Sequence, residues 1–130
     1  MLTPIESVAW LFITLYHEAR SEPISGIVEV GHVILNRSER RQKTIKQIVL
    51  ASKQFSCFNR GTEQPISETA GIVKTAAAMF QLFLSRLSGK YTSADHYHRY
   101  DVNPYWDDEM SYLGQIGDHQ FFDSRNRRGS

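Results

Sequence analysis

Two carboxylates stand out early in the chain. Glu18 and Glu22 flank Arg20 within residues 16–23, at the end of an otherwise apolar stretch. At 100° per residue on a helix, Glu18 falls within about 80° of the centre of the apolar stripe and Glu22 within about 40°, so both point toward protein rather than bulk water. Partial burial favours the protonated form of a carboxyl, which is what a general acid needs near neutrality. The same spacing also describes an ordinary acidic pair closing a helix, neutralised by Arg20 or a later arginine.

A second group is Gln54, Phe55, Ser56, Cys57, Phe58 and Asn59, polar side chains alternating with aromatics. Such a loop either carries binding residues or is simply pinned by its two Phe rings. Cys57 is the lone cysteine, so no intrachain disulfide forms and no set of thiolates exists for a structural zinc site. With His96, His98 or His119 it could form a nucleophile and base, but a thiol between two Phe reads more simply as packing.

The third group is Asp95, His96, Tyr97, His98 and Tyr100, followed by Asn103, Pro104, Tyr105 and Trp106, then by Gly117, Asp118, His119 and Phe121. On a strand His96 and His98 share a face, yet no third ligand follows at a metal-site spacing. The expectation is therefore no metal and no cofactor. The aromatics fit either a sugar-binding groove or ordinary core packing.

These groups must be positioned by helices first and short strands afterwards. Thr3, Pro4 and Glu6 make a helix start, predicting a first helix over residues 4–21 with Val8, Leu11, Phe12, Leu15 and Ala19 as its stripe. Trp10 and Ile13 make its other side apolar too, so it is expected to be the central helix. After Pro23, Ser25 is expected to cap a second helix with Ile27, Val28, Val30, Val33, Ile34 and Leu35 toward the core. Its exit, with Arg37, Arg40 and Arg41 followed by Lys43 and Lys46, reads as a solvated basic patch. Thr44 caps a short third helix through Leu50, and residues 51–65 read as an extended loop. Ser67 opens the longest helix, carrying Ile72, Val73, Ala76, Met79, Phe80, Phe83, Leu84 and Leu87 until Gly89 stops it. Short strands are expected over residues 94–98 and 120–122, with a turn at Gly117 and Asp118 before the second. The fold class is α+β, mostly helical with a small C-terminal β region.

With 130 residues, the chain has room for one hydrophobic core. Fifteen Lys plus Arg against fourteen Asp plus Glu give a net charge of +1, which removes the electrostatic case for nucleic-acid binding. The excess sits at the end, where Arg125, Arg127 and Arg128 oppose Asp123. One domain over residues 1–122 and a basic, disordered tail over 123–130 are expected. The longest apolar run, residues 8–15, is far shorter than the roughly twenty a membrane helix needs. Residues 1–7 lack the basic start of a signal peptide.

Three blocks in order resemble the spore cortex-lytic enzyme type of cell-wall hydrolase. The family's Tyr-Gly-Glu-Ala-Arg-Gly-Glu-Pro signature reads here Tyr16, His17, Glu18, Ala19, Arg20, Ser21, Glu22, Pro23, followed by Leu35, Asn36, Arg37. Its Gln-Phe-Ser block is Gln54, Phe55, Ser56. Its C-terminal half appears as Asp95, His96, Tyr97, then Asn103, Pro104, Tyr105, Trp106, then Ile116, Gly117, Asp118, His119, Gln120, Phe121. The two signature glycines are His17 and Ser21 here.

The resemblance implies a lysozyme-like domain that cleaves the β-1,4 bond between N-acetylmuramic acid and N-acetylglucosamine as a lytic transglycosylase, leaving 1,6-anhydro-muramic ends. It implies Glu18 as the catalytic acid and Glu22, Gln54, Ser56, His96, Tyr97 and His119 as substrate-binding residues. Glycan strands of peptidoglycan are the expected partner of a monomer, with no nucleic acid and no membrane insertion. The missing export signal suggests a protein made in the cytoplasm that acts on the wall, as phage or prophage lysis enzymes do. Two alternatives stay open: a hydrolytic N-acetylmuramidase using Glu22 or Asp95 as a second carboxylate, and a non-catalytic peptidoglycan-binding domain.

Overall fold

The computed structural model describes residues 4–51, 68–104 and 106–125. Among them the chain forms helices α1 (Pro4–Ala19), α2 (Ile24–Arg41), α3 (Ile45–Leu50) and α4 (Thr69–Ser88). Strands β1 (His96–Arg99), β2 (Ser111–Ile116) and β3 (His119–Asp123) follow, with a 3-10 turn over Asp107–Glu109. The α+β class expected from the sequence is the one found.

The centre of the fold is α2, not α1 as expected. Ten of its 18 residues are buried, against five of 16 in α1. The reason lies in its polar residues: Glu29, His32, Asn36 and Arg37 interrupt the apolar pattern, yet all are buried. They face structure, not solvent. Asn36 Nδ2 donates to the carbonyls of Thr92 (3.1 Å) and Ala94 (2.7 Å), Arg37 Nε to that of Asp95 (2.6 Å), and Arg40 Nη2 to that of Ser93 (2.9 Å). The Leu-Asn-Arg end of α2 thereby holds the extended segment leading into β1. These bonds satisfy carbonyls that no strand partner reaches. The basic patch is thus not simply solvated: Arg37 is buried, and burial together with the neighbouring Arg41 pulls its pKa down to about 10.

Helix ends follow local chemistry closely. Thr44 and Gln47 form a reciprocal capping box on α3, and α4 stops at Gly89 in a left-handed conformation. Pro23, rather than Ser25, occupies the cap position of α2. Helix α1 ends at Ala19, before the predicted residue 21; the amide of Glu22 turns back to the Ala19 carbonyl at 2.9 Å. Helix α4 differs more. Its inward face is the small and slender set Gly71, Thr75, Ala78, Met79 and Leu82, while Val73, Phe80, Leu84 and Leu87 of the expected stripe are exposed. Close approach explains the choice: a Cβ on Gly31 of α2 would sit 2.6 Å from a Leu82 methyl, so the two helices meet where one has no side chain.

The sheet is antiparallel in the order β1-β3-β2. Strand β2 was not expected, because Leu113 bulges out of register between Tyr112 and Gly114 and breaks the alternation. The sheet also runs past the expected boundary at residue 122. Asp123 is fully buried and Ser124 donates its amide to Asp95 Oδ1 at 2.9 Å, while residues 126–130 of the expected tail lie outside the described residues.

Candidate active site

The last turn of α1 presents Glu18, half-buried between the buried Tyr16 and Ala19. The start of α4 locks this turn. Glu68 donates its amide to Tyr16 Oη at 2.9 Å and its carboxylate pairs with Arg20 Nε at 3.0 Å. Arg20 in turn lies over the Tyr16 ring, 4.6 Å from its centroid. His17, one of the two signature departures, is half-buried and edge-on to Tyr16 at 5.0 Å; Ser21, the other, is exposed.

Glu22 is placed differently. It lies in the turn between α1 and α2, 5% exposed, where both carboxylate oxygens face the Asp118 amide, at 3.1 and 3.3 Å. Its Oε1 is also 3.2 Å from His119 Nδ1, though off the hydrogen-bond direction. Burial pushes the His119 pKa below the usual imidazole range against the pull of Glu22, so neutrality is the favoured state. Gly117 makes this clamp possible. It sits at φ 56°, in the left-handed region, and a Cβ there would collide with Glu22 Oε2. The clamp ties the corner between the first two helices to the β2–β3 turn.

The two faces of the sheet divide the remaining candidates. Tyr97 and His119 are on the face toward α2, with ring centroids 4.9 Å apart and Phe121 beside them. His96 and His98 are on the other face, packed around Trp106, with Phe122 stacked on His98 at 5.1 Å. The structure therefore joins Glu22, Tyr97 and His119 and sends His96 elsewhere. Gln54, Ser56 and Cys57 lie outside the described residues.

A family profile described as Cell Wall Hydrolase matches residues 21–122. The chain belongs to the cell wall hydrolase family. The profile takes in Glu22 and the sheet up to Phe122 but begins after Glu18. Among solved structures, the catalytic domain of the germination-specific lytic transglycosylase SleB from Bacillus anthracis is similar, with a TM-score of 0.68 at 20% identity over 90% of this chain and 93% of that one. That likeness identifies the fold of this cell wall hydrolase as the lysozyme-like α+β domain. A search of curated proteins gives no match.

Sequence reasoning named Asp95 and His96 in this cell wall hydrolase but missed their partners Arg40 and Ser124. Asp95 accepts from His96 (3.0 Å) and from both the amide and the hydroxyl of Ser124, and Arg40 Nη1 lies 3.1 Å from its Oδ2. Burial alone would raise its pKa; these hydrogen bonds win and hold it well below the usual carboxylate range. The available signal was Asp95 next to His96 with several arginines upstream, but nothing in the spacing pairs Arg40 with it. Among the described residues no three His, Cys, Asp or Glu side chains are grouped to hold a metal.

Glu29 was missed as well. It is buried on α2, bonded by the Thr92 hydroxyl, and beside a cavity of about 240 Å³ whose other walls include Leu113, Ile116 and Phe121. Burial raises its pKa, only partly offset by Thr92. A carboxyl raised in the folded state contributes stability at acid pH that is lost as pH rises through its folded value. Glu29→Gln should therefore melt higher than the parent at neutral pH, and the gap should close below the usual glutamate range. Melting curves across pH check this.

Proposed function

We propose that this cell wall hydrolase is a lytic transglycosylase of peptidoglycan in which Glu18 performs both proton transfers. The observation that carries the reading is the contrast between the two signature carboxylates. Glu22 is 5% exposed in the turn after α1, whereas Glu18 on the last turn of α1 is half-buried, so of the two Glu18 leaves more of its side chain to a substrate. A two-carboxylate hydrolase needs a second carboxyl that reaches a water across the sugar. Glu22 is committed to the clamp, and Asp95 is 5% exposed and saturated by Ser124, His96 and Arg40. The similar SleB domain is that of a lytic transglycosylase, which supports carrying the same reaction class over.

In this mechanism protonated Glu18 gives its proton to the glycosidic oxygen as the bond from that oxygen to muramyl C1 breaks. The resulting carboxylate takes the proton from the muramyl C6 hydroxyl, and O6 closes onto C1. Glu18 ends protonated as it began, and no water is consumed. Glu22 holds the β2–β3 turn next to His119, against whose ring Tyr97 of β1 packs, and His119 and Tyr97 are the sheet residues proposed to contact the glycan. Gln54 and Ser56 complete the proposed contacts, while His96, on the far sheet face, is left out of them.

The test of the activity class is incubation with purified peptidoglycan. Release of soluble muropeptides is expected; tight wall binding without release would favour the non-catalytic binding domain.

A further inference from the structure

Helix α2 carries one buried carboxyl that the proposed chemistry does not use. Of the four carboxyl side chains buried among the described residues, three are held by N–H donors: Glu22 by the Asp118 amide, Asp95 by the Ser124 amide and Arg40, and Asp123 by the Arg125 amide at 2.8 Å. Glu29, 8% exposed, has no such donor; its partner is the Thr92 hydroxyl. A buried carboxyl with neither a cation nor an amide beside it is most stable neutral, and a neutral carboxyl donates a hydrogen bond. Since the Thr92 hydroxyl donates to Oε1, Oε2 is left to carry the proton and donate it onward.

Glu29 and Thr92 line the cavity of about 240 Å³ between α2 and the sheet. That is more room than the roughly 150 Å³ of a cavity that admits benzene. Leu113, Ile116 and Phe121 make its surface apolar, and the amide of Gln115 is already engaged with the Gly117 carbonyl at 3.0 Å and with Gln120 at 3.3 Å. A Cβ on Gly114 would meet no atom within 4 Å, so no other side chain takes up the space beside it. The sheet order leaves β2 at an edge, where one row of its backbone N–H and C=O groups has no strand partner among the described residues. No other charged side chain lines the cavity. His32, one turn further along α2, and His119, opposite Ile116 on β3, are both pushed toward neutrality by burial; Asp95, beyond Thr92, is taken by Arg40 and Ser124, and Arg86 of α4 by Asn36 and Glu39. The cavity adjoins the proposed groove, because Phe121 borders Tyr97 and His119, and Ile116 and Glu22 meet at Gly26.

We propose that this cavity is a subsite for the acetamido group of an amino sugar, with the methyl against Leu113, Ile116 and Phe121 and the carbonyl oxygen accepting from the Glu29 carboxyl. The acetamido N–H has the free carbonyls of the β2 edge as acceptors. A neutral group that joins an acceptor, an N–H and a methyl is what this lining selects; a carboxylate would meet no cation here, and an ammonium would have to be desolvated against apolar walls. The choice of sugar rests on the peptidoglycan reading, in which both sugars carry an acetamido group, and not on the role given to Glu18.

The test is calorimetric titration of the full chain with an oligomer of N-acetylglucosamine and with the same oligomer stripped of its acetyl groups. The oligomer has no muramic acid, so cleavage of the proposed bond does not enter. Binding of the acetylated oligomer alone is expected, and it should weaken as pH rises and Glu29 ionises, because a carboxylate repels the acetamido carbonyl. Glu29→Gln keeps a donor at every pH, so it should match the parent in acid and hold its affinity where the parent loses it. Glu29→Leu fills the same space without a donor and should bind about tenfold more weakly in acid, with a melting curve to show that it is folded. No binding by the parent, equal binding of both oligomers, or a Glu29→Gln profile that follows the parent's with pH would overturn the proposal. Tighter binding of the stripped, amine-bearing oligomer that Glu29→Gln abolishes would also overturn it and assign the cavity to a cation. Wall digestion without oligomer binding would remove the subsite alone; the expected binding in a chain that releases no muropeptides would keep the subsite and overturn the enzymatic reading.

Discussion

Glu18→Gln is expected to fold like the parent, to bind wall fragments, and to release muropeptides about 10²- to 10⁴-fold more slowly. The glutamine keeps the shape and most of the hydrogen-bonding reach of the side chain but can neither give nor take the proton, and both steps of the proposed cycle pass through that group. Glu22→Gln is the informative contrast. Its carbonyl can still accept from the Asp118 amide, so the clamp loosens without breaking, and the loss of rate should be much smaller. Equal, near-total losses in two well-folded variants would mean that Glu22 takes part in chemistry, in line with a muramidase. Muropeptide release and a melting curve for each variant separate these cases.

The second large effect is on stability. Asp95→Ala removes the acceptor for His96, for the Ser124 amide and hydroxyl, and for Arg40, whose remaining carboxylate, Asp123, is 3.7 Å away. Breaking a buried pair by deleting one partner costs about 3–5 kcal/mol; with Asp123 as a partial substitute the lower end applies. In a domain of this size that is a fall in melting temperature of about 10 °C. The pH dependence gives an independent check. Asp95 has a depressed pKa in the fold, so its contribution is present above the usual aspartate range and is lost as pH falls toward the folded value. The gap in melting temperature between parent and Asp95→Asn should accordingly narrow in acid. Since Asp95 is assigned no chemistry, folded Asp95→Asn should retain lysis at low temperature.

Much of the fold was legible because its helix boundaries are written in local chemistry. Pro4 with Glu6, the Thr44 and Gln47 box and Gly89 each act within one turn of chain, and the helices they delimit were found nearly at the predicted residues. Choices made by tertiary packing were not legible. Helix α2 is central because Asn36 and Arg37 are consumed by carbonyls more than fifty residues away, and a local pattern scores such residues as surface. Helix α4 turned the opposite way from its apolar stripe because Gly31 lets Leu82 approach, again a long-range match.

The candidate site divided along the same line. The signature around Glu18 was visible as sequence, and the turn at Gly117 and Asp118 was placed correctly. What the turn does was not visible: the Asp118 amide meets Glu22 from 96 residues away. Strand parity decided the histidines. The β1 pairing sets His96 opposite Phe122 and Tyr97 opposite Phe121, so adjacent candidates go to opposite faces of the sheet. Strand alternation alone separates His96 from Tyr97, but only the register of β3 reveals that His119 joins Tyr97.

The most direct test of the central claim is the chemistry of the new chain ends. Purified peptidoglycan digested by the parent protein in water enriched in ¹⁸O, with the soluble products weighed by mass spectrometry, reports whether water entered the broken bond. A single-carboxylate transglycosylase predicts muropeptides ending in 1,6-anhydro-muramic acid, one water lighter than reducing products and free of label. Reducing ends carrying ¹⁸O would contradict it and would require a second group, beyond Glu18, that activates water.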